Sequence, residues 1–142
     1  MKWYFASRTK HQEKIKEISQ FLAEKGEVVS SDWVYQGILT PYEDHRKEVE
    51  ELSKNVVEAI LGTDIFVLIS DPEGTDMFIE CGIALGQCVS TNSKMKIYIV
   101  GPYAKRSLMQ LHPRIVHVED IEELFKKENI DSSSTTLPIF YA

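Results

Sequence analysis

Nowhere in this sequence of 142 residues does an apolar run approach the roughly 20 residues that a membrane helix needs. The opening Met1-Lys2-Trp3-Tyr4-Phe5 also lacks the layout of a signal peptide, so the expectation is a cytoplasmic protein without a membrane partner. Positive charge is scarce: 16 basic against 22 acidic residues give a net charge of −6, which repels a phosphate backbone and argues against a nucleic-acid partner. A local basic pocket for a single phosphate stays compatible with that balance. Cysteine is limited to Cys81 and Cys88, seven apart in one helical stretch and therefore about two turns apart, too far to bond; they read as reduced core thiols. His11, His45, His112 and His117 fall at no metal-ligand spacing, and neither a metal nor a cofactor is expected.

What the chain does contain suits one packed domain spanning 1–142. Its 43% hydrophobic and 27% charged residues are too apolar for a disordered tail and ordinary for a globular core. Short β-rich runs alternate with amphipathic segments, the pattern of crossover units on a parallel sheet. Strands are expected at Lys2 to Ala6, at Val28 and Val29, over Asp64 to Ser70, at Lys96 to Val100 and at Ile115 to Val118. The third is a nearly continuous apolar run, as a strand covered on both faces requires. Helices are expected from about Lys10 to Lys25, with Gly26 as the stop; from about Glu43 to Leu61, with Gly62 as the stop and a stripe of Val49, Leu52, Val56, Ala59 and Ile60; from about Met77 to Cys88; and over Ile121 to Lys127. Ser30 to Pro41 has the polar and aromatic mixture of an exposed functional loop. The tail over 131–142 carries Phe140 and Tyr141, which should dock either on this domain or on a neighbour.

In an open parallel sheet, ligands bind beyond the carboxyl ends of the strands where strand order reverses, so two loops matter most. Ser7-Arg8-Thr9-Lys10-His11 offers hydroxyls, backbone N–H groups and cations to an anion, without a glycine-rich phosphate fingerprint. The second loop holds Asp71, Glu73 and Asp76 and leads to Glu80, a carboxylate inside Met77-Phe78-Ile79-Glu80-Cys81-Gly82-Ile83-Ala84-Leu85-Gly86. Such a group is either paired or used. Gly82 and Gly86 leave room for a ligand or another backbone to approach.

The strand Tyr4-Phe5-Ala6-Ser7 with its helix, Thr63-Asp64-Ile65 opening the third strand, and Glu80-x-Gly82-x-Ala84 together resemble the nucleoside 2-deoxyribosyltransferase family and its relatives, the 2'-deoxynucleoside 5'-phosphate N-hydrolases. The similarity runs over roughly residues 2 to 110. It implies a flavodoxin-like, Rossmann-like three-layer α/β sandwich with five parallel strands in the order 2-1-3-4-5. It also implies that a nucleoside or nucleoside 5'-monophosphate loses its base by transfer or hydrolysis. Glu80 then takes the role of the nucleophile on C1', ionised near a helix N-terminus, and Tyr4 holds its carboxylate. Ser7 and Arg8 lie where the monophosphate hydrolases grip the 5'-phosphate, which favours a nucleotide substrate. Arg106-Ser107-Leu108-Met109 resembles the segment that a neighbouring subunit lends to the site, with Ser107 toward phosphate and Met109 over sugar or base, and so implies a homodimer or a higher homo-oligomer. Tyr141-Ala142 resembles the closing terminus of some transferases.

The family's two supporting aspartates fall here on Val56, beside Asn55, and on Gly74. Asp71 and Asp76 are the nearby acids able to protonate a leaving base. Two alternatives stand beside this reading: a nucleotide-binding sensor that lost turnover with those aspartates, and an NAD glycohydrolase of the Toll/interleukin-receptor-like kind, which also uses a helix-borne glutamate.

Overall fold

The computed structural model describes residues 1–37 and 39–141. Five parallel strands form one sheet in the order β2-β1-β3-β4-β5: β1 (Lys2–Ala6), β2 (Val28–Val29), β3 (Ile65–Ile69), β4 (Lys96–Val100) and β5 (Ile115–Val118). Helices α1 (Gln12–Glu24) and α4 (Ile121–Lys127) cover one face; α2 (Arg46–Leu61) and α3 (Asp76–Thr91) cover the other. This is the flavodoxin-like order, and it places the reversal of strand order between β1 and β3.

Side-chain alternation along each strand divides the interior into two cores. Trp3, Phe5, Ile65, Val67, Ile69 and Val100 pack with Ile15, Ile18, Leu22, Leu124 and Phe125 on the α1 side. Tyr4, Ala6, Phe66, Leu68, Ile97 and Ile99 pack with Ile60, Met77, Cys81, Ala84, Leu85 and Cys88 on the α3 side. Every residue of β3 is buried, as its unbroken apolar run requires. Cys81 and Cys88 are free and buried.

Local chemistry sets the ends of the helices. Gly26 adopts φ +83 after α1, and the N–H groups of Gly26 and Glu27 reach back to the carbonyls of Ala23 and Leu22. Asp120 caps α4 by accepting from the Glu123 N–H at 2.8 Å.

Several details differ from the sequence expectation. Thr9–His11 forms a tight 3-10 turn before α1, and Tyr42–His45 another before α2, because the first turn of each segment is wound more tightly than an apolar stripe can reveal. Helix α3 continues past Cys88 to Thr91, closing where Asn92 takes a left-handed φ of 49°; Val89 is exposed there, so no apolar period marked the extra turn. The loop after β2 is not uniformly exposed: Ser31 and Val34 are buried and the Trp33 indole donates to the Phe5 carbonyl at 2.7 Å. On α2, Ile60 is the buried member of the apolar stripe, and Val49, Leu52, Val56 and Ala59 remain half-buried.

The tail docks on its own domain. The Tyr141 hydroxyl donates to the Ser70 carbonyl at 2.6 Å and the Val100 carbonyl at 3.0 Å, and Phe140 meets the edge of His11 with centroids 5.2 Å apart. Ala142, the other half of the terminal motif, lies outside the described residues. Among the described residues no helix is long and apolar enough to cross a membrane.

Candidate active site

Glu80 sits on the second turn of α3, and its Oε1 accepts a hydrogen bond from the Tyr4 hydroxyl of β1, 76 residues away in sequence. Tyr4 is itself buried and stacked on Phe66, with ring centroids 5.7 Å apart, so its hydroxyl is held at the carboxyl edge of the sheet. Burial pushes the Glu80 carboxyl up to about 7; the Tyr4 hydroxyl pulls the other way and the charge of Asp76 adds to the rise. The Tyr4 hydroxyl is pushed far above its ordinary range by burial first, then by the charges of Glu80 and Asp32. Glu80 lies beyond the first turn of α3, whose free N–H groups would favour the ionised form, and burial dominates.

Asp76, one turn before Glu80, places Oδ2 2.9 Å from the Tyr42 hydroxyl, which donates to it. That bond raises the Tyr42 hydroxyl, helped by burial and by the charges of Asp76 and Glu80. Tyr42 and Asp32 were not singled out as site residues from the sequence. Both belong to turns bordering the polar and aromatic loop, and that mixed composition was the available signal.

A second group lies on the α1 side. Arg8 pairs with Asp71 at 3.5 Å and with Glu73 at 3.2 Å, and Lys10 pairs with Asp71 at 3.0 Å. The Asp71 side chain is only 2% exposed. Burial alone would raise its carboxyl, but the Glu73 N–H and the Lys10 ammonium hold it below its ordinary range. Asp71 is therefore the counter-ion of two cations, Arg8 and Lys10. His11, buried beside it with Nε2 3.8 Å from Asp71, is lowered by burial and by Lys10 and Lys14. Ser7 turns its hydroxyl onto the Arg8 carbonyl at 2.8 Å.

Gly74 stands between the two groups at φ +114, and a side chain there would meet Met77 at 2.8 Å and Arg8 at 3.3 Å. An aspartate at this position would be strained and crowded, which accounts for its absence. Gly82 faces open space, and no atom lies within 4 Å of a Cβ built on it.

Ser107 and Met109 do not join Glu80 within the chain. They line a groove of about 360 Å³ with Phe78, Cys81, Gly82 and Leu85. Glu80 and Gly82 are about 200° apart around the helix, so this groove belongs to a different face of α3. A larger open groove of about 1530 Å³ runs between the tail and the acidic Glu119, Glu122 and Glu123; its charge is unsuited to a phosphate.

The fold and the site together define a flavodoxin-like three-layer protein with a tyrosine-held glutamate at its carboxyl edge. Among solved structures, the CMP N-glycosidase BcmB of Clostridium botulinum has this fold: the TM-score is 0.57, the identity 21%, and the match covers 92% of this chain and 100% of that one. No family model matches the chain, and no curated protein matches it in sequence.

Proposed function

We propose that this protein cleaves the N-glycosidic bond of nucleoside 5'-monophosphates, using Glu80 as nucleophile and water as the final acceptor. The observation that carries this reading is the Tyr4–Glu80 pair: one carboxylate oxygen is occupied by the tyrosine and the other is left for attack. The cations Arg8 and Lys10 at the mouth of β1 suit a phosphate, and the solved structure of similar fold is named for its action on CMP.

In the first step, Glu80 Oε2 bonds to C1' of the sugar as the C1'–N bond breaks. The electron pair of that bond goes to the base nitrogen, which takes a proton from Asp76. In the second step, water attacks C1', gives its proton to Asp76 and releases Glu80 from the ester. Arg8 binds the phosphate by exchanging exposed Glu73 for it, while buried Asp71 keeps its cations. Asp76 here does the work that the Val56 and Gly74 positions no longer provide.

The test is chromatography of free base after incubating the wild type with deoxynucleosides, their 5'-monophosphates, ribonucleotides and NAD. Base release from 5'-monophosphates well above that from free nucleosides is expected. Release of nicotinamide from NAD alone would install the glycohydrolase alternative. Thermal stabilisation by nucleotides without release would install the sensor.

Ser107 and Met109 reach a Glu80 only if a second copy brings them there, so the reading includes a homodimer. Exposed Ile79, Val89, Leu108, Met109 and Leu111 supply apolar surface for such contact. Light scattering after gel filtration should give twice the 16.3 kDa chain mass. A strict monomer would remove Ser107 and Met109 from the site.

A further inference from the structure

Tyr42 opens the tight turn before α2, and its ring is 47% exposed while its hydroxyl reaches across 34 residues of sequence to Asp76. A hydrogen bond at so open a place adds little to folding. Its effect on geometry is larger. Asp76 lies in the first turn of α3, where its short side chain would otherwise turn among rotamers and toward the free N–H groups of the helix end.

We propose that Tyr42 is a positioning residue for Asp76. By occupying Oδ2 it leaves Oδ1, which accepts from no described residue, as the oxygen that carries the transferable proton. The arrangement repeats that of the nucleophile. Tyr4 from β1 occupies Oε1 of Glu80, and Tyr42 from the turn before α2 occupies Oδ2 of Asp76. Residues four apart share one helix face, so the two carboxyls lie on the same side of α3. One oxygen is set for attack on C1' and one for delivery of the proton to the departing base. The inference rests on the reading of Asp76 as the acid.

The experiment is a kinetic cycle of wild type, Tyr42→Phe, Asp76→Asn and the double variant on the 5'-monophosphate that the wild type cleaves fastest, with thermal melts to confirm that each folds. Asp76→Asn is expected to lower kcat about 100-fold and Tyr42→Phe about tenfold, with KM within about twofold of wild type for both. In the Asp76→Asn background, Tyr42→Phe should change nothing further. An unchanged kcat in Tyr42→Phe, a tenfold loss that multiplies that of Asp76→Asn, or an effect confined to KM would each overturn the inference while leaving the N-glycosidase reading intact. A wild type that releases no base from any nucleotide would overturn that reading, and this inference with it.

Discussion

Glu80→Gln should lower base release by at least about 1,000-fold and, in the same protein, raise the melting temperature at pH 8. The two effects share one cause. Burial carries the Glu80 carboxyl from its ordinary 4.5 up to about 7, so the folded state binds its proton more tightly than the unfolded state does. Below pH 4.5 the residue is protonated in both states and contributes no penalty. As the pH rises from 4.5 to 7 the unfolded chain ionises first and gains the advantage; above 7 the penalty is constant. Undiscounted, that difference is worth about 3 kcal/mol, and the partial exposure of the side chain reduces it to about 2 kcal/mol. Glutamine keeps an acceptor for the Tyr4 hydroxyl and removes the charge. The variant should therefore melt about 6 °C above wild type at pH 8 and alongside it at pH 4. A variant less stable than wild type at pH 8 would mean that Glu80 is ionised and stabilising in the native state. Under the proposed mechanism, kcat/KM of the wild type should show a rising limb near pH 7 as the Glu80 carboxyl ionises.

Gly101→Ala is expected to cost about 3 kcal/mol, near 9 °C in melting temperature. Two independent problems coincide at this position. The backbone holds φ at +99, which a side chain resists, and a Cβ would stand 2.3 Å from the Tyr141 ring. The ring cannot retreat without giving up the carbonyls of Ser70 and Val100, and burial has already pushed its hydroxyl up to about 12. Truncating the ring separates the contributions. Tyr141→Ala alone loses the anchor, and in the double variant the steric part of the Gly101→Ala cost disappears, leaving the part due to φ. Thermal melts of the four proteins, with limited proteolysis of the tail, check this. A Gly101→Ala protein that melts with wild type and keeps its tail protected would show that the ring is not seated there.

The elements that could be read in the sequence were those whose residues carry their own reason to fold. β1, β4, β5 and α4 fall on the expected bounds because β-branched and aromatic runs, or an apolar stripe behind an acidic cap, end at turn-forming residues. The parallel order 2-1-3-4-5 was legible through the alternation of elements and the family resemblance. What was hidden depends on contact between distant residues. The stripe on α2 announces an apolar face but not what covers it, and within the chain Val49, Leu52, Val56 and Ala59 stay half-buried. Asp71 and Asp76 look alike as aspartates of one acidic turn. Three-dimensional contact makes the first the partner of Arg8 and Lys10 and gives the second a tyrosine from the turn before α2. The raised Glu80 carboxyl follows from how deeply α3 lies against β1, and no spacing rule encodes that depth.

The alternation of β1 has a consequence for how such a protein can diverge. Tyr4 faces the α3 core and holds the glutamate; the next residue, Phe5, faces the α1 core, toward which the chain continues to Arg8 and Lys10. Under the proposed function, chemistry and anchoring thus hang from opposite sides of one short strand. Inheritance can alter them separately: replacing residues around Arg8 would recruit a different anionic or neutral group while the carboxyl pair keeps its geometry. A lineage built on this strand could change what it holds long before it changed what it does.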